Sequence, residues 1–211
     1  MKREFFIDFD GTITKVDTCV AMAKAFAPND VQRINDLWEK KEITSGECAG
    51  RILGAINANV EDLKKLLESI EIDEYFKKFL AFCDDREYKW YILSDGYDFN
   101  IKTVLTRHGI ENAQFFANSL LYEDGFKMKS TYANPLCGDC GSCKTELMEK
   151  LTEPGSQSVY IGDGFSDICP ASRADLVFAK GMLYRYCREH EIAAVKFHNF
   201  QDIIAYFVGL P

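Results

Sequence analysis

Three short apolar runs in this chain stop abruptly on acidic or hydroxyl-bearing residues: EFFIDFD (4–10), YKWYILSDG (88–96) and SVYIGDG (158–164). Runs of this length, dense in aromatic and β-branched residues, predict buried strands, and the Gly-containing segments that close them predict tight loops. The second run leads into the helical pattern DFNIKTVLTRHG, with Gly109 as its C-terminal cap. Further on come a strand AQFFANS, a small hairpin around Glu123-Asp124-Gly125, helices KTELMEKL and DICPASRA, a strand LVFAK and a helical LYRYCREHE. Strands alternating with helices predict an α/β fold built on a doubly wound, mainly parallel, Rossmann-like sheet.

The stretch from Cys19 to about Phe82 breaks the rhythm. VAMAKAF, DVQRINDLWEKKEI, SGECAGRILGAI, VEDLKKLLESI and DEYFKKFLAF all place apolar residues three and four apart, which predicts a block of amphipathic helices. The expected organisation is a core made of 1–16 and 80–211 with a helical insertion at 17–79, a scheme that 211 residues accommodate as one domain. The opening MKREFFIDFD meets acids too early for a signal peptide, and the apolar run IIAYFVGL is far shorter than the ~20 residues needed to span a bilayer. No membrane partner is expected, and the eight cysteines are then expected as thiols of a cytoplasmic protein. A net charge of −8 repels a polyphosphate backbone, so no nucleic-acid partner is expected and a small molecule is. The sequence carries no sign of an oligomeric state.

In an open parallel sheet, ligands sit at the carboxyl ends of the strands. The polar residues there are Asp8 and Asp10, Ser94 and Asp95, and Asp163 and Asp167. Extended backbone aims Asp8 and Asp10 to one face, and two carboxylates held close need a cation or a proton between them. A hard divalent ion such as Mg²⁺ suits an all-oxygen set that also receives substrate phosphate. The competing reading of each aspartate alone is a helix cap or a turn starter.

Four separated motifs, DFDGT (8–12), the serine of ILSDG (92–96), Lys144 and GDGFSD (162–167), resemble those of the haloacid dehalogenase superfamily of phosphotransferases, in the same order and over nearly the whole chain. The resemblance implies that Asp8 is a nucleophile forming an aspartyl-phosphate and that Asp10 protonates the leaving alcohol and then activates water. It implies that Ser94 and Lys144 bind phosphate, with Thr12 and Gly96 beside them. It also implies that Mg²⁺ is held by Asp8, the Asp10 main-chain carbonyl and Asp163, with Asp167 ligating it or orienting a bound water. The helical insertion takes the place of the family's cap, in the size of the phosphoserine-phosphatase-like branch. There, Asp17 and Arg51 are substrate-contact candidates, weighed against an N-cap for Asp17 and a solvated helix face for Arg51.

Within that branch, DFDGTIT, KAFAP, GRILG and a cysteine-rich segment running into CK are similar to the methionine-salvage phosphatases of 2-hydroxy-3-keto-5-methylthiopentenyl-1-phosphate. Asp95 departs from their pattern, which has glycine after the serine. The Ser-Asp pair instead resembles phosphatases of phosphoethanolamine and phosphocholine, so Asp95 is expected either at a cationic head group or at a helix N-terminus. Phosphoserine and pyridoxal phosphate complete the alternative substrates. A non-catalytic regulator and a phosphotransferase or mutase on the same fold are the competing functions. Cys137, Cys140 and Cys143 raise a structural Zn²⁺ site; zinc takes four ligands and the run offers three, so buried or idle thiols are the favoured reading.

Overall fold

The computed structural model describes residues 2–40, 42–135 and 140–209. Seven strands, β1 (Arg3–Ile7), β2 (Lys89–Tyr97), β3 (Phe115–Tyr122), β4 (Phe126–Lys129), β5 (Gln157–Gly162), β6 (Leu176–Ala179) and β7 (Val195–Lys196), form one sheet in the order β4-β3-β2-β1-β5-β6-β7. All neighbours run parallel except the β3–β4 hairpin. Its connection is the expected one: Glu123 N donates to Gly125 O, with Asp124 at φ 51° and Gly125 at φ 130°. The order reverses around β1, where β2 lies on one side and β5 on the other, and Phe6 is in register with both Tyr91 and Tyr160. A central strand covered on both faces reads as a continuous apolar run, which is why EFFI shows no alternation.

One face carries Phe5, and the other carries Phe6. Against the first pack α5 (Phe76–Asp84) and α10 (Phe200–Val208), whose rings close on Phe5: Phe79 at 5.1 Å and Phe207 at 5.5 Å between centroids, with Phe200 at 5.0 Å from Phe79. Against the second pack α7 (Lys144–Leu151), through Leu147 and Met148, and α9 (Gly181–Glu189), through Leu183 and Cys187. Between β1 and α5 run α1 (Thr18–Phe26), α2 (Pro28–Glu39), α3 (Ser45–Ala55) and α4 (Val60–Glu68), and α6 (Asp98–Arg107) follows β2. The start of α3 carries a capping box of Thr44 and Glu47, and Asn59 caps α4, so polar side chains set both boundaries.

Two details go past the sequence reading. DICPASRA holds a four-residue α8 (Ile168–Ala171), preceded by a 3-10 turn at Phe165–Asp167. The run near the C-terminus is α10, with Phe200, Ile203 and Phe207 buried at helical spacing. Among the described residues, no helix is long and apolar enough to cross a membrane.

Phe79 is fully buried between the sheet and α10. Phe79→Ala is expected to lower unfolding free energy by about 3–5 kcal/mol, read by urea titration; a loss below about 1 kcal/mol would contradict this packing.

Candidate active site

Because β2, β1 and β5 are neighbours, the three acidic turns after them converge. Asp8 stays in the sheet by donating its N–H to Ile161 O, and it is 4% exposed. Lys144, the first residue of α7, reaches it across the sheet end: Nζ lies 2.6 Å from Asp8 Oδ1, 2.7 Å from Asp167 Oδ1 and 3.0 Å from Ser166 Oγ. Asp167 has no exposed surface and accepts three further hydrogen bonds, from Tyr160 OH at 2.6 Å and from the N–H groups of Asp163 and Gly164 at 2.9 Å each. Both oxygens are therefore engaged, and the carboxylate ties β5, its loop and Lys144 into one unit. Asp163 Oδ1 accepts from Thr12 Oγ at 3.1 Å. Its Oδ2 approaches Gly11, which lies at φ +81°; a Cβ there would come within 2.7 Å of that oxygen, so only glycine lets the two loops close. Lys180 Nζ donates to Thr12 O at 3.3 Å from the other side.

The charge in this cluster is unbalanced. Asp8, Asp163 and Asp167 each bring a carboxylate oxygen within 4.8 Å of the others. Burial, with the charges of Asp167 and Asp163, pushes the Asp8 carboxyl well above the usual range, and Lys144 only partly opposes it. Asp163 is raised by burial and by Asp167. Burial works against the ammonium of Lys144, yet Asp167 and Asp8 outweigh it and hold its pKa well above the ordinary lysine value. A set of hard oxygen donors with surplus negative charge fits a divalent cation of the Mg²⁺ type.

Asp10 belongs to a second arrangement. Its Oδ1 accepts from Thr18 N at 2.7 Å and Thr18 Oγ at 2.6 Å, and its Oδ2 lies 3.4 Å from Ser94 Oγ. Thr18 in turn accepts from Asn100 Nδ2 at 3.0 Å, so two buried residues set the orientation of Asp10. Burial and then the charge of Asp17 raise the Asp10 carboxyl to about 7, with the Thr18 bonds pulling the other way. Asp17 itself caps α1, accepting from Val20 N at 2.8 Å. Ser94 Oγ accepts from Gly96 N at 2.9 Å inside a bulge of β2. Asp95 Oδ1 accepts from Ser142 N at 2.8 Å, on the segment leading to Lys144. Arg51 stands exposed on α3 with Glu47 and Cys48 as its charge neighbours. Cys140 and Cys143 lie on the segment before α7, whereas Cys137 is outside the described residues.

Thr18, Asn100, Tyr160 and Lys180 are the contributors that motif reading passed over. Tyr160 reads as a core aromatic, and only the pairing of β5 with β1 shows that its hydroxyl meets Asp167. Thr18 offered one signal, a hydroxyl one residue past a helix cap.

The fold is that of haloacid dehalogenase-type phosphatases. A phosphoserine phosphatase solved as a phospho-aspartyl intermediate analogue superposes with a TM-score of 0.75 at 20% identity, over 97% of this chain and 98% of that one. A substrate-bound phosphoserine phosphatase complex gives 0.72 at 20% identity, covering 98% of each chain. In sequence, the profile of the family described as "Putative Phosphatase" matches residues 5–184, and the chain belongs to that family of phosphoric monoester hydrolases. The 2-hydroxy-3-keto-5-methylthiopentenyl-1-phosphate phosphatase of Bacillus cereus (strain B4264) is 30% identical over 210 residues, 97% of this chain and 95% of that protein. A relative of the same name from Bacillus thuringiensis (strain Al Hakam) is 29% identical over 209 residues, 96% of this chain and 94% of its own length.

Removing Lys144 strands the buried carboxylates of Asp8 and Asp167 without their counter-charge. Lys144→Ala is expected to cost about 3–5 kcal/mol at pH 7.5 in metal-free buffer, measured by urea unfolding. The sign of the pH dependence follows from Asp8, whose folded pKa is raised by burial. The penalty grows as pH rises from the unfolded value, near 4, through the folded one, and it shrinks on acidification. A pH-independent loss would contradict the assignment of the penalty to Asp8.

Proposed function

We propose that the protein hydrolyses a small phosphate monoester through an aspartyl-phosphate on Asp8, with Mg²⁺ held by Asp8, the Asp10 main-chain carbonyl and Asp163 and with Asp167 alongside. The observation that carries this reading is the pairing of one Asp8 oxygen with Lys144 at 2.6 Å. Lys144 occupies Oδ1, which leaves Oδ2 to attack phosphorus as the P–O bond to the leaving group breaks. Asp10, protonated on the Oδ2 that faces Ser94, gives its proton to the leaving oxygen. As carboxylate, it then takes a proton from the water that opens the acyl phosphate and releases phosphate. Ser94 Oγ and Lys144 Nζ serve as donors to phosphate oxygens, the main demand that phosphoryl transfer makes on a protein. A divalent cation held by Asp8, the Asp10 main-chain carbonyl and Asp163 would supply further charge neutralisation. In this reading residues 17–79 form the cap that excludes water, with Asp17 and Arg51 as its candidate substrate contacts.

The substrate we propose is 2-hydroxy-3-keto-5-methylthiopentenyl-1-phosphate. Its support is the Bacillus cereus relative named for that activity, aligned over 97% of this chain.

The protein is expected to hydrolyse p-nitrophenyl phosphate with Mg²⁺ and to stop on addition of EDTA, and Asp8→Asn is expected to lower kcat by roughly 10³-fold or more. Full activity in Asp8→Asn would remove it as nucleophile. In a panel with phosphoserine, phosphoethanolamine, phosphocholine and pyridoxal phosphate, the enol phosphate is expected to show the highest kcat/KM; another leader would replace the substrate and leave the chemistry standing.

Asp10 must carry its proton to act as the acid, so kcat/KM is expected to decline above its pKa of about 7. Asp17→Asn removes a neighbouring negative charge and keeps the cap, which lowers that pKa and moves the decline to lower pH. Thr18→Val removes a hydrogen bond that favours the carboxylate and moves it to higher pH. Shifts of one sign in both variants would reject Asp10 as the titrating group.

A further inference from the structure

Lys144 sits where a lysine is poorly placed by its own helix. It opens α7, whose N-terminus carries the positive end of the macrodipole, and the N-cap Cys143 makes no capping hydrogen bond through its side chain. The segment before it is held from outside: Cys143 N donates to Tyr132 O at 2.9 Å, and Ser142 N donates to Asp95 Oδ1 at 2.8 Å. The second bond spans 47 residues and links β2 directly to the residue two before Lys144.

Asp95 is available for this because β2 is bulged. Leu93 is in register with Phe116 and Tyr97 with Asn118, so four steps along β2 match two along β3, and Ser94, Asp95 and Gly96 are thrown out of the ladder. Asn118, 1% exposed, closes the gap: its Nδ2 donates to the Asp95 carbonyl at 2.8 Å and lies 3.5 Å from Asp95 Oδ1. Gly141 packs onto this pair so closely that a Cβ there would meet Asn118 Nδ2 at 2.9 Å and Asp95 Oδ1 at 3.0 Å. Ser142 is itself 2% exposed.

We propose that Asp95, braced by Asn118, is a positioning residue that latches the Gly141–Cys143 segment to the β2 bulge and thereby sets Lys144 against Asp8. The bulge that turns Ser94 toward Asp10 is the same one that turns Asp95 toward Ser142, so phosphate donor and lysine are registered to each other through one strand end. This assigns the acid after Ser94 to the enzyme's own backbone, in place of a cationic group on the substrate. It deepens the phosphatase reading and rests on it.

The test compares Asp95→Ala, Asp95→Asn, Asn118→Ala and Gly141→Ala with Mg²⁺ and p-nitrophenyl phosphate, whose leaving group carries no cation. Asparagine keeps an acceptor oxygen for Ser142 N and discards the charge. Asp95→Ala and Gly141→Ala are expected to lower kcat by about 10- to 100-fold with KM within about threefold, and Asp95→Asn to recover most of the loss. In a Lys144→Ala background, Asp95→Ala is expected to change the residual kcat by less than about twofold, since its effect passes through the lysine. Asp95→Asn as impaired as Asp95→Ala, or a full further loss without Lys144, would overturn the latch. So would a defect confined to phosphoethanolamine and phosphocholine.

A second readout does not depend on activity. Amide hydrogen exchange at Ser142 is expected to accelerate by about tenfold or more in Asp95→Ala and to stay near the parent rate in Asp95→Asn. Unchanged exchange in Asp95→Ala would reject the latch whatever the kinetics. If the parent protein hydrolysed no phosphate ester, the functional reading would fall and the exchange result would still decide the latch.

Discussion

The ammonium of Lys144 between Asp8 and Asp167 is the contact on which the other features of the site depend. It is buried, so neither side of the pair has water as an alternative partner, and its ammonium pairs with two of three clustered carboxylates. Such a group is tolerated only when its geometry is exact enough to return the cost of desolvation. The surrounding structure supplies that geometry: Tyr160 and two loop N–H groups fix Asp167, and the extended ladder fixes Asp8. The residual negative charge makes the same cluster fit a divalent cation.

The sheet order explains why these residues meet. Strands β2, β1 and β5 lie side by side, so the turns after them open on one edge, at the point where the chain reverses its direction of progress through the sheet. Each turn then adds a local device. After β1, the left-handed Gly11 lets Asp163 close in; in β2, the bulge lifts Ser94 and Asp95 out of the ladder; after β5, Asp167 folds back on the N–H groups of its own loop. Asp10 is set apart from the carboxylate cluster by its bonds to Thr18, so two carboxyls only two residues apart have different partners, Thr18 and Ser94 for Asp10 and Lys144 for Asp8.

Most of the fold was legible in the sequence because its strands end where polar residues begin and its helices keep a regular apolar face. Phe5 to Ile7, buried on both sides, announced the central strand, and Gly109, with φ +67° just beyond α6, announced a helix end. The motif aspartates and Lys144 were legible as residue types, and their convergence follows from the strand order. What stayed hidden was the layer of residues that act through others. Asn118 looks like an ordinary strand residue until the register shift between β2 and β3 leaves a carbonyl for its amide to hold. Asn100 gives no local sign either, since its partner Thr18 lies 82 residues away.

That distance in sequence has a kinetic consequence. The contacts that define the site join residues 136 and 151 positions apart, Lys144 with Asp8 and Thr12 with Asp163, so closing them requires β1 to have paired with β5 across most of the chain. Contacts of such long range carry a loop-closure entropy that earlier pairing elsewhere in the sheet would reduce. A partly folded chain with β1 to β4 assembled would contain Asp8, Asp10 and Ser94 yet lack both the cation cluster and its lysine. The cluster of Asp8, Asp163 and Asp167 is therefore a property of the finished sheet, complete only once β5 has paired with β1.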